Sequence, residues 1–329
     1  MLRRFYVTVL LVAWTVSVGW LMTRKILPPL LPGAPPEVVS DLDQAERGEP
    51  VLEDWFVEHG KERIGESHSY WTREPDGTVA ARTRTVFRDF PLRTVLESFA
   101  GPFGSMLPSS LFDQKITFEI LSRGFYVDDQ LESLTLLVIH ERDQELARFV
   151  LTRIEDDEYE LIATTRSLAG GRPTEILRRP LSLGESADAR GPFSAGPRML
   201  DLRVGQTWTE TVAKPFTSGE SEVLHVVVAK QELLSWHGVP MRTNVVEYRR
   251  NTGVGDAARK PDATVWVDKS GETLQQDLRL GSTVFRMIRM PEPEPTADGQ
   301  SQSTRGAELE FGDAFDRRFD RDAAAQDAN

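Results

Sequence analysis

The hydrophobic positions of the chain follow two different patterns. Residues 5–22 form an uncharged, strongly apolar run, whereas most of the chain beyond residue 51 alternates between apolar and polar positions. An apolar run of this length is about 27 Å long as a helix, close to the hydrocarbon thickness of a bilayer. Alternation with a period of two is typical of strands that bury one face. The pattern predicts one apolar helix followed by a β-rich body.

The first predicted hairpin lies early in that body. Asp-Gly at 76–77 separates two alternating runs, 64–74 and 78–90, and this dipeptide favours a tight turn between strands. A two-residue loop there would place Trp71 opposite Arg82, because the register of a hairpin follows from its loop length.

A second hairpin is predicted at Ser-Gly 270–271, near the end of the body. A two-residue loop would place Val267 opposite Leu274 and Trp266 opposite Gln275. Both hairpins belong to a longer series of runs rich in β-branched and aromatic residues. The other predicted strands are 115–121, 131–140, 146–154, 158–165, 223–233, 239–249 and 283–290.

About ten strands joined by short turns predict a mainly β fold, an antiparallel barrel or a sandwich. Residues 92–112 are the exception, because their apolar positions recur at helical spacing around a Gly-Pro pair. They are predicted to form short helices packed on the sheet. The alternatives of one β domain and two β subdomains stay open at this stage.

Proline and glycine mark the predicted boundaries. Residues 1–25 are assigned to a membrane anchor, and the Pro-rich segment 26–50 to a semi-rigid stalk. The body covers 51–290, with a soft boundary in the Gly- and Pro-containing stretch 170–197. Residues 291–329 are acidic and poor in apolar side chains, which predicts a disordered tail.

Two pairs of basic residues flank the apolar run, at 3–4 and 24–25. A cleaved secretory signal would be shorter and would be followed by a small-x-small site, but the triplet 17–19 lies inside the run and Trp-Leu-Met follows it at 20–22. A twin-arginine signal is a further alternative, although the residues around 3–4 do not complete that motif. We expect an uncleaved anchor with a cytoplasmic N-terminus and a periplasmic body.

The amino-acid composition excludes several kinds of reactive site and partner. The chain has no cysteine, which excludes disulfides, a thiolate nucleophile and a lipid-modified cysteine. Its net charge is −12, so nucleic acid is not an expected partner. The five histidines lack metal-site spacing, and no phosphate-binding loop or serine-nucleophile motif is present, so no cofactor and no catalytic residue is predicted.

Basic residues that recur along the first hairpin are a candidate site for an anionic headgroup. Side chains two apart on a strand project to the same face, and arginine suits bidentate recognition of anions. The alternative is an exposed face that charge keeps soluble. The candidate ligand-binding residues are Tyr70, Trp71, Arg73, Arg82, Arg84 and Arg88.

Aromatic residues in the tail are a candidate docking segment. Phe311, Phe315 and Phe319 are four residues apart, so a helix would align them in one stripe that could dock on a partner. Two glycines, Gly306 and Gly312, oppose the helix, and the alternative is a disordered tail with scattered aromatics.

Two segments resemble a known family. Residues 60–67 with the hairpin that follows them, and residues 263–274 with their strand, Trp-Val-Asp, turn and strand, are similar to extracytoplasmic β-sheet proteins related to the bacterial lipoprotein-carrier family. The resemblance covers about 55–290 and implies an unclosed antiparallel half-barrel around short helices. It also implies a concave face that holds an acyl chain, a lipid-linked molecule or a partner segment.

Three functions are carried forward. The first is a membrane-anchored, periplasmic, non-catalytic binding or accessory protein with a lipid or other apolar ligand, or an envelope protein, as its partner. The second is a structural subunit of a transporter or secretion assembly. The third is an envelope hydrolase that uses carboxylates such as Glu119, Asp128 or Glu247.

Overall fold

The protein is represented by a computed structural model, and the chain is mainly β, with a large curved antiparallel sheet and few short helices. This confirms the mainly β class and the curved antiparallel sheet, whereas the N-terminal transmembrane helix stays a prediction. The predicted helices at 92–112 lie outside the described residues. The described residues are 11, 14–20, 33–48, 50–91, 115–128, 130–140, 144–155, 158–166, 172–182, 197–213, 221–250, 260–280, 283–291, 315 and 319.

The chain divides into two compact units. Unit 1 consists of Met1–Ser40 and Gly196–Arg286, and unit 2 of Asp41–Ala195 and Met287–Asn329. Each unit is therefore built from two separate segments of the chain.

Unit 2 is an antiparallel meander in which every strand pairs with the next along the chain. Helix α1 (Asp41–Glu46) precedes it and carries two acidic residues in its first turn, where the helix dipole favours negative charge. It packs against the third strand of the chain. The strands are β2 (Val51–His59), β3 (Glu62–Arg73), β4 (Val79–Pro91), β5 (Lys115–Val127), β6 (Gln130–His140), β7 (Gln144–Glu155), β8 (Glu158–Thr165) and β9 (Thr174–Ser182).

The β3–β4 register differs by one residue from the prediction. Trp71 lies opposite Ala81, and it is Tyr70 that lies opposite Arg82. The turn is longer than two residues, because the Glu74 amide donates to the Thr78 carbonyl (2.7 Å). Because side chains alternate between faces, this one-residue shift moves Trp71 to the face opposite the arginines.

A bulge in β4 gathers aromatic side chains on the Trp71 face. Phe87 pairs with Phe118, and the register then shifts so that Phe90 pairs with Ile116. Asp89 adopts a left-handed conformation within the bulge (φ 53°). The rings of Phe87 and Phe90 are 4.7 Å apart and both side chains are fully buried. The extra residue thus brings a second aromatic ring to the same core.

Unit 1 is also antiparallel, with consecutive pairing of its five larger strands. A two-stranded sheet of β1 (Glu37–Val39) and β10 (Arg198–Leu200) accompanies them. Strand β16 (Thr283–Arg289) contains the boundary between the units in the sequence. The five larger strands are β11 (Thr207–Ala213), β12 (Ser221–Trp236), β13 (Val239–Arg250), β14 (Ala263–Val267) and β15 (Thr273–Leu280).

Valines from three strands form the core of unit 1, together with one methionine of β10. Tyr248 packs against this cluster, and its hydroxyl lies 3.9 Å from the Met199 sulfur. Burial, and secondarily the charge of Glu210, raise the pKa of this hydroxyl above its usual value. The buried cluster consists of Met199, Val226, Val228, Val246, Val265 and Val267.

The second hairpin matches its prediction in part. Trp266 lies opposite Gln275 as expected, but a bulge places Val267 opposite Thr273 instead of Leu274. The turn packs closely on β10, because a Cβ on Gly271 would lie 2.8 Å from the Met199 carbonyl oxygen. Glycine is therefore required at this position for the close approach, and for its positive φ of 88°.

Part of the segment assigned to a Pro-rich stalk has regular structure. Residues 37–39 form β1 and residues 41–46 form α1, although both fall within 26–50. The Arg73 side chain donates a hydrogen bond to the carbonyl of Glu46 (2.7 Å), which ties the end of α1 to β3. Tertiary contacts thus order a stretch whose composition favours an extended linker.

Residues 11 and 14–20 are helical. Within the described residues, no helix has both the length and the apolar character needed to cross a membrane. The remaining positions of the apolar run 5–22 all lie outside those residues.

Candidate functional site

An apolar patch lies on one face of β5 and β6 in unit 2. Leu121 and Leu137 are direct cross-strand partners, and Ile139 follows two residues along β6 on the same face. These three side chains form a buried cluster with Phe315 and Phe319 of the tail. We call Leu121, Leu137 and Ile139 the β5–β6 patch.

The tail provides the two aromatic side chains that cover the patch. Phe315 and Phe319 are both helical, their ring centroids are 4.9 Å apart, and each side chain is only 3% exposed. The predicted spacing of one helical turn therefore does align them. The surface on which they dock belongs to the same chain, and Phe311 lies outside the described residues.

A cation lies over one of the docked rings. The guanidinium carbon of Arg123 is 4.5 Å from the centroid of Phe319 and 5.5 Å from that of Phe125. An arginine at this distance from an aromatic face is attracted by the negative π surface. Arg123 lies two residues from Leu121 on β5, so its side chain starts from the face that carries the patch.

Two arginine–glutamate pairs border the patch. Arg84 on β4 is the cross-strand partner of Leu121 and binds Glu119. Arg148 on β7 is the partner of Leu137 and binds Glu145 with a shortest N–O distance of 2.9 Å. The patch is therefore an apolar centre between two charged borders, which suits an amphipathic occupant.

The predicted basic row is divided by the observed register. Trp71 is on the opposite face, where its ring centroid is 5.5 Å from that of Tyr126. Tyr70 lies on the face of Arg82 and Arg84, because its cross-strand partner is Arg82.

Each arginine of that row also has an internal acceptor. Arg82 binds Glu74 (2.9 Å) and Arg88 binds Glu66 (3.0 Å). Arg84 binds Glu119, and Arg73 donates to the carbonyl of Glu46. Binding of an anionic headgroup by these residues stays a prediction, and such a ligand would compete with acidic groups of the chain.

Two of the three carboxylates named for a hydrolase are paired with arginines. Glu119 binds Arg84, and Glu247 binds Arg249 at 2.7 Å. Asp128 follows the last residue of β5 and has a left-handed backbone (φ 49°). Glu119 and Asp128 belong to unit 2 and Glu247 to unit 1. In the part of the chain that the structure describes, no three acidic or histidine side chains form a metal-binding group.

Unit 1 has a shallow cavity of about 340 Å³ that was not anticipated from the sequence. It is lined by Gly33, by β11 residues including Trp208, and by His225 and Arg249. His225 and Arg249 are cross-strand partners, so pairing in the sheet brings a histidine and an arginine together. These two residues are 24 positions apart in the sequence, and no local motif indicates that they are neighbours.

The patch residues were also missed from the sequence. The runs 115–121 and 131–140 were predicted as strands, but several of their apolar positions alternate imperfectly, so neither face is distinguished. The one local signal was the phenylalanine spacing in the tail. The sequence could not show which face those rings would cover.

Comparisons with solved structures return matches of low similarity. A β-barrel-like protein of the DUF1849 domain from Brucella abortus is 12% identical, covering 73% of this chain and 94% of its own, with a TM-score of 0.37. The hypothetical lipoprotein YmcC from Escherichia coli is 14% identical, with coverage of 74% and 85% and a TM-score of 0.26. The MucA/MucB complex of Pseudomonas aeruginosa gives 11% identity, 78% and 92% coverage, and a TM-score of 0.14.

None of these three descriptions is that of an enzyme. No family model and no curated protein matches the chain.

Proposed function

We propose that this protein is a non-catalytic binding or accessory protein of the bacterial envelope, anchored in the membrane by residues 5–22 with its body in the periplasm. Its binding site is the β5–β6 patch, which takes an apolar or lipid-linked ligand. The observation that carries the proposal is the docking of Phe315 and Phe319, because it shows that the patch accepts apolar groups and removes them almost completely from water.

The borders of the patch suit a ligand that is apolar in the middle and acidic at its ends. Arg123 lies over the docked ring, and Arg84 and Arg148 lie one strand away on each side. In the tail, an aspartate follows each of Phe315 and Phe319, and two arginines lie between the two phenylalanines in the sequence. A fatty acyl chain with an acidic headgroup has the matching chemistry.

Exposed apolar side chains on the described N-terminal helix support the anchor. Leu11, Trp14, Val16 and Trp20 are 56–65% exposed, which is unfavourable in water and favourable in lipid. The Thr15 hydroxyl donates to the carbonyl of Leu11 (2.8 Å), so its polar group is satisfied within the helix. Basic residues on both sides of the run would hold its ends at the two membrane surfaces.

The binding site is tested by competition between the tail and a fluorescent fatty acid. The full chain in detergent micelles is compared with F315A/F319A, which removes both rings but leaves the patch intact. We expect tighter probe binding by the double variant, because the intramolecular competitor is lost. Adding Leu137→Asp to this variant should abolish the gain, and Leu309→Ala is the control substitution in the tail.

Equal probe binding by the wild type, the double variant and its Leu137→Asp derivative would contradict a ligand site at the patch. It would instead favour the alternative of a structural subunit whose patch only packs its own tail. Native mass spectrometry of the same proteins, with lipid extraction, would identify any ligand that co-purifies. Anchoring is tested separately, because alkaline extraction should leave the full chain in membranes but release a variant that lacks residues 1–25.

A further inference from the structure

The hairpin of β12 and β13 extends beyond the strands on either side of it. Strand β11 pairs with residues 221–227 of β12, and β14 pairs with residues 244–248 of β13. The two strands continue to pair with each other from Lys230–Val245 to Trp236–Val239. Residues 231–243 therefore form a two-stranded ribbon that extends past the residues with which β11 and β14 pair. We call this segment the ribbon.

The end of the ribbon is a tight, defined turn. His237 and Gly238 both have positive φ, 48° and 82°, as a type I′ turn requires at its two central positions. The rings of Trp236 and His237 are 5.0 Å apart in an edge-to-face arrangement. The turn therefore holds an aromatic side chain at the end of the ribbon in one backbone geometry.

The chemistry of the tip differs from that of the chain as a whole. Residues 233–241 contain no Asp, Glu, Lys or Arg, whereas such residues make up 27% of the chain. Leu233 is 73% exposed and Val239 is 53% exposed. The cross-strand pairs Leu234–Met241 and Trp236–Val239 lie on one face. A contiguous apolar tip of this kind is typical of a surface that contacts another phase or molecule.

Charged side chains lie at the base of the ribbon. Glu232 accepts a hydrogen bond from the Trp266 indole and pairs with Lys230, and these two partners hold its pKa below the usual range, Lys230 being the stronger. Arg242 donates to the Gln231 side chain. Residues 230–243 carry two cations and one anion, in a chain with a net charge of −12. Because Lys230 is paired with Glu232, the ribbon and its base are close to neutral, whereas the chain as a whole is strongly acidic, so repulsion by an anionic lipid surface is small there.

We propose that the ribbon tip docks on the surface of a lipid bilayer. Tryptophan prefers the membrane interface, where its ring is apolar and its N–H can remain hydrated. Strands β11 and β14 do not pair with the outer edges of the ribbon, so burying the backbone groups of these edges in hydrocarbon would be costly. Insertion is therefore limited to the headgroup region and to the tip residues, Leu233, Trp236 and Val239 above all.

The length of the chain between the anchor and unit 1 permits this contact. The orientation of the tip towards the membrane rests on the anchor proposed above. Lys25 and Gly33 are separated by eight residues, which span at most about 29 Å. A Cβ on Gly33 would lie 3.8 Å from the Thr207 carbonyl oxygen, and Thr207 pairs with Val227. The nine residues from Val227 to Trp236 extend about 30 Å at the rise of a strand. The segment 25–33 and the segment 227–236 can therefore span similar distances.

The absence of cysteine allows a direct test. S235C at the ribbon tip and S270C at the β14–β15 turn each provide one labelling site for a polarity-sensitive dye. Both full-length variants are reconstituted in vesicles of phosphatidylethanolamine and phosphatidylglycerol, with spin-labelled lipid as quencher. We expect a blue-shifted, strongly quenched emission at S235C, and an aqueous, weakly quenched emission at S270C.

Equal, aqueous emission at both sites would overturn the proposal. Shielding of S235C in native membranes but not in the synthetic vesicles would also overturn it, and would assign the tip to a protein partner. The double substitution Leu233→Asp/Val239→Asp, made in the S235C background, should abolish quenching without unfolding, because both side chains are already exposed. Alkaline extraction of the same vesicles reports on the anchor alone, so failure of the anchor and failure of the tip are distinguishable.

Discussion

The β5–β6 patch and the ribbon tip are both apolar, but the tail covers the patch, whereas Leu233 and Val239 at the tip are exposed among the described residues. Leu121 and Leu137 are each 1% exposed beneath the two phenylalanines of the tail, whereas Leu233 is 73% exposed. An apolar surface in water is covered by whatever apolar group can reach it. The tail, which belongs to unit 2, provides that group for the patch.

This difference distinguishes two ways of using an apolar surface. A covered surface contributes to stability, and an external ligand must displace the cover in order to bind. An exposed surface contributes little to the fold and remains available to a membrane or a partner. Substitutions should therefore affect stability at the patch and interaction at the ribbon.

The largest contrast is expected for matched leucine truncations. Leu137→Ala should lower the free energy of unfolding by about 2–5 kcal/mol, because it leaves a cavity beneath the docked rings. Leu233→Ala should change it by less than about 0.5 kcal/mol, because that side chain is already in water. Chemical denaturation of both variants measures the difference. Similar losses at the two positions would remove the distinction between a covered and an exposed surface.

Removal of the tail rings comes next in size. Each buried phenylalanine contributes about 1.5–3 kcal/mol through burial of apolar surface, so F315A/F319A should release the tail from the patch. Limited proteolysis should then cleave within 291–329 many times faster than in the wild type. The Leu309→Ala control should be cleaved at the wild-type rate. An unchanged rate in F315A/F319A would mean that other residues hold the tail in place.

A smaller effect is expected from the cation over Phe319. Arg123→Met keeps most of the aliphatic length but removes the charge, and should weaken tail docking by about 0.5–2 kcal/mol. Arg123→Lys should lose less, because a cation remains. The tail proteolysis assay ranks the three proteins. Faster cleavage in the lysine variant than in the methionine variant would argue against a cation–π contribution.

The last expected effect is a loss of stability in the core of unit 1, from which the ribbon extends. It is absent at neutral pH and arises only at high pH. Burial raises the pKa of Tyr248 in the folded state, so above about pH 10 the unfolded state loses this proton while the folded state keeps it. Stability should therefore fall as the pH rises through that range, by up to about 1.4 kcal/mol per pH unit for one group. Tyr248→Phe should have a shallower alkaline slope in denaturant titrations, and an unchanged slope would show that this hydroxyl is hydrated.

Much of the fold could be predicted from local pattern. The runs 158–165 and 239–249 correspond to β8 and β13 within one residue. Both runs are rich in β-branched or aromatic residues and are preceded by turn residues. The register of β3–β4 could not be predicted, because it depends on how many residues close the turn. The predicted basic site depended on that register, and the shift of Trp71 to the other face divided it.

The candidate sites, like the fold, could be predicted from the sequence only in part. The spacing of Phe315 and Phe319 was visible as one helical stripe, but its docking surface combines β5 and β6 residues that are more than 170 positions away. The extension of the ribbon could not be recognised from the alternation of β12 and β13 either. It depends on where β11 and β14 begin and end beside them.

By itself, the sequence determined the apolar N-terminal run, the β class of the body, the absence of thiol chemistry and the aromatic spacing of the tail. These properties depend on neighbouring residues, on composition or on short turns, which act over a few positions. The tertiary structure alone decided the register, the pairing of arginines with glutamates, the covered patch and the exposed tip. Those properties depend on contacts between distant segments, and alternation along a strand cannot specify which surface another segment will cover.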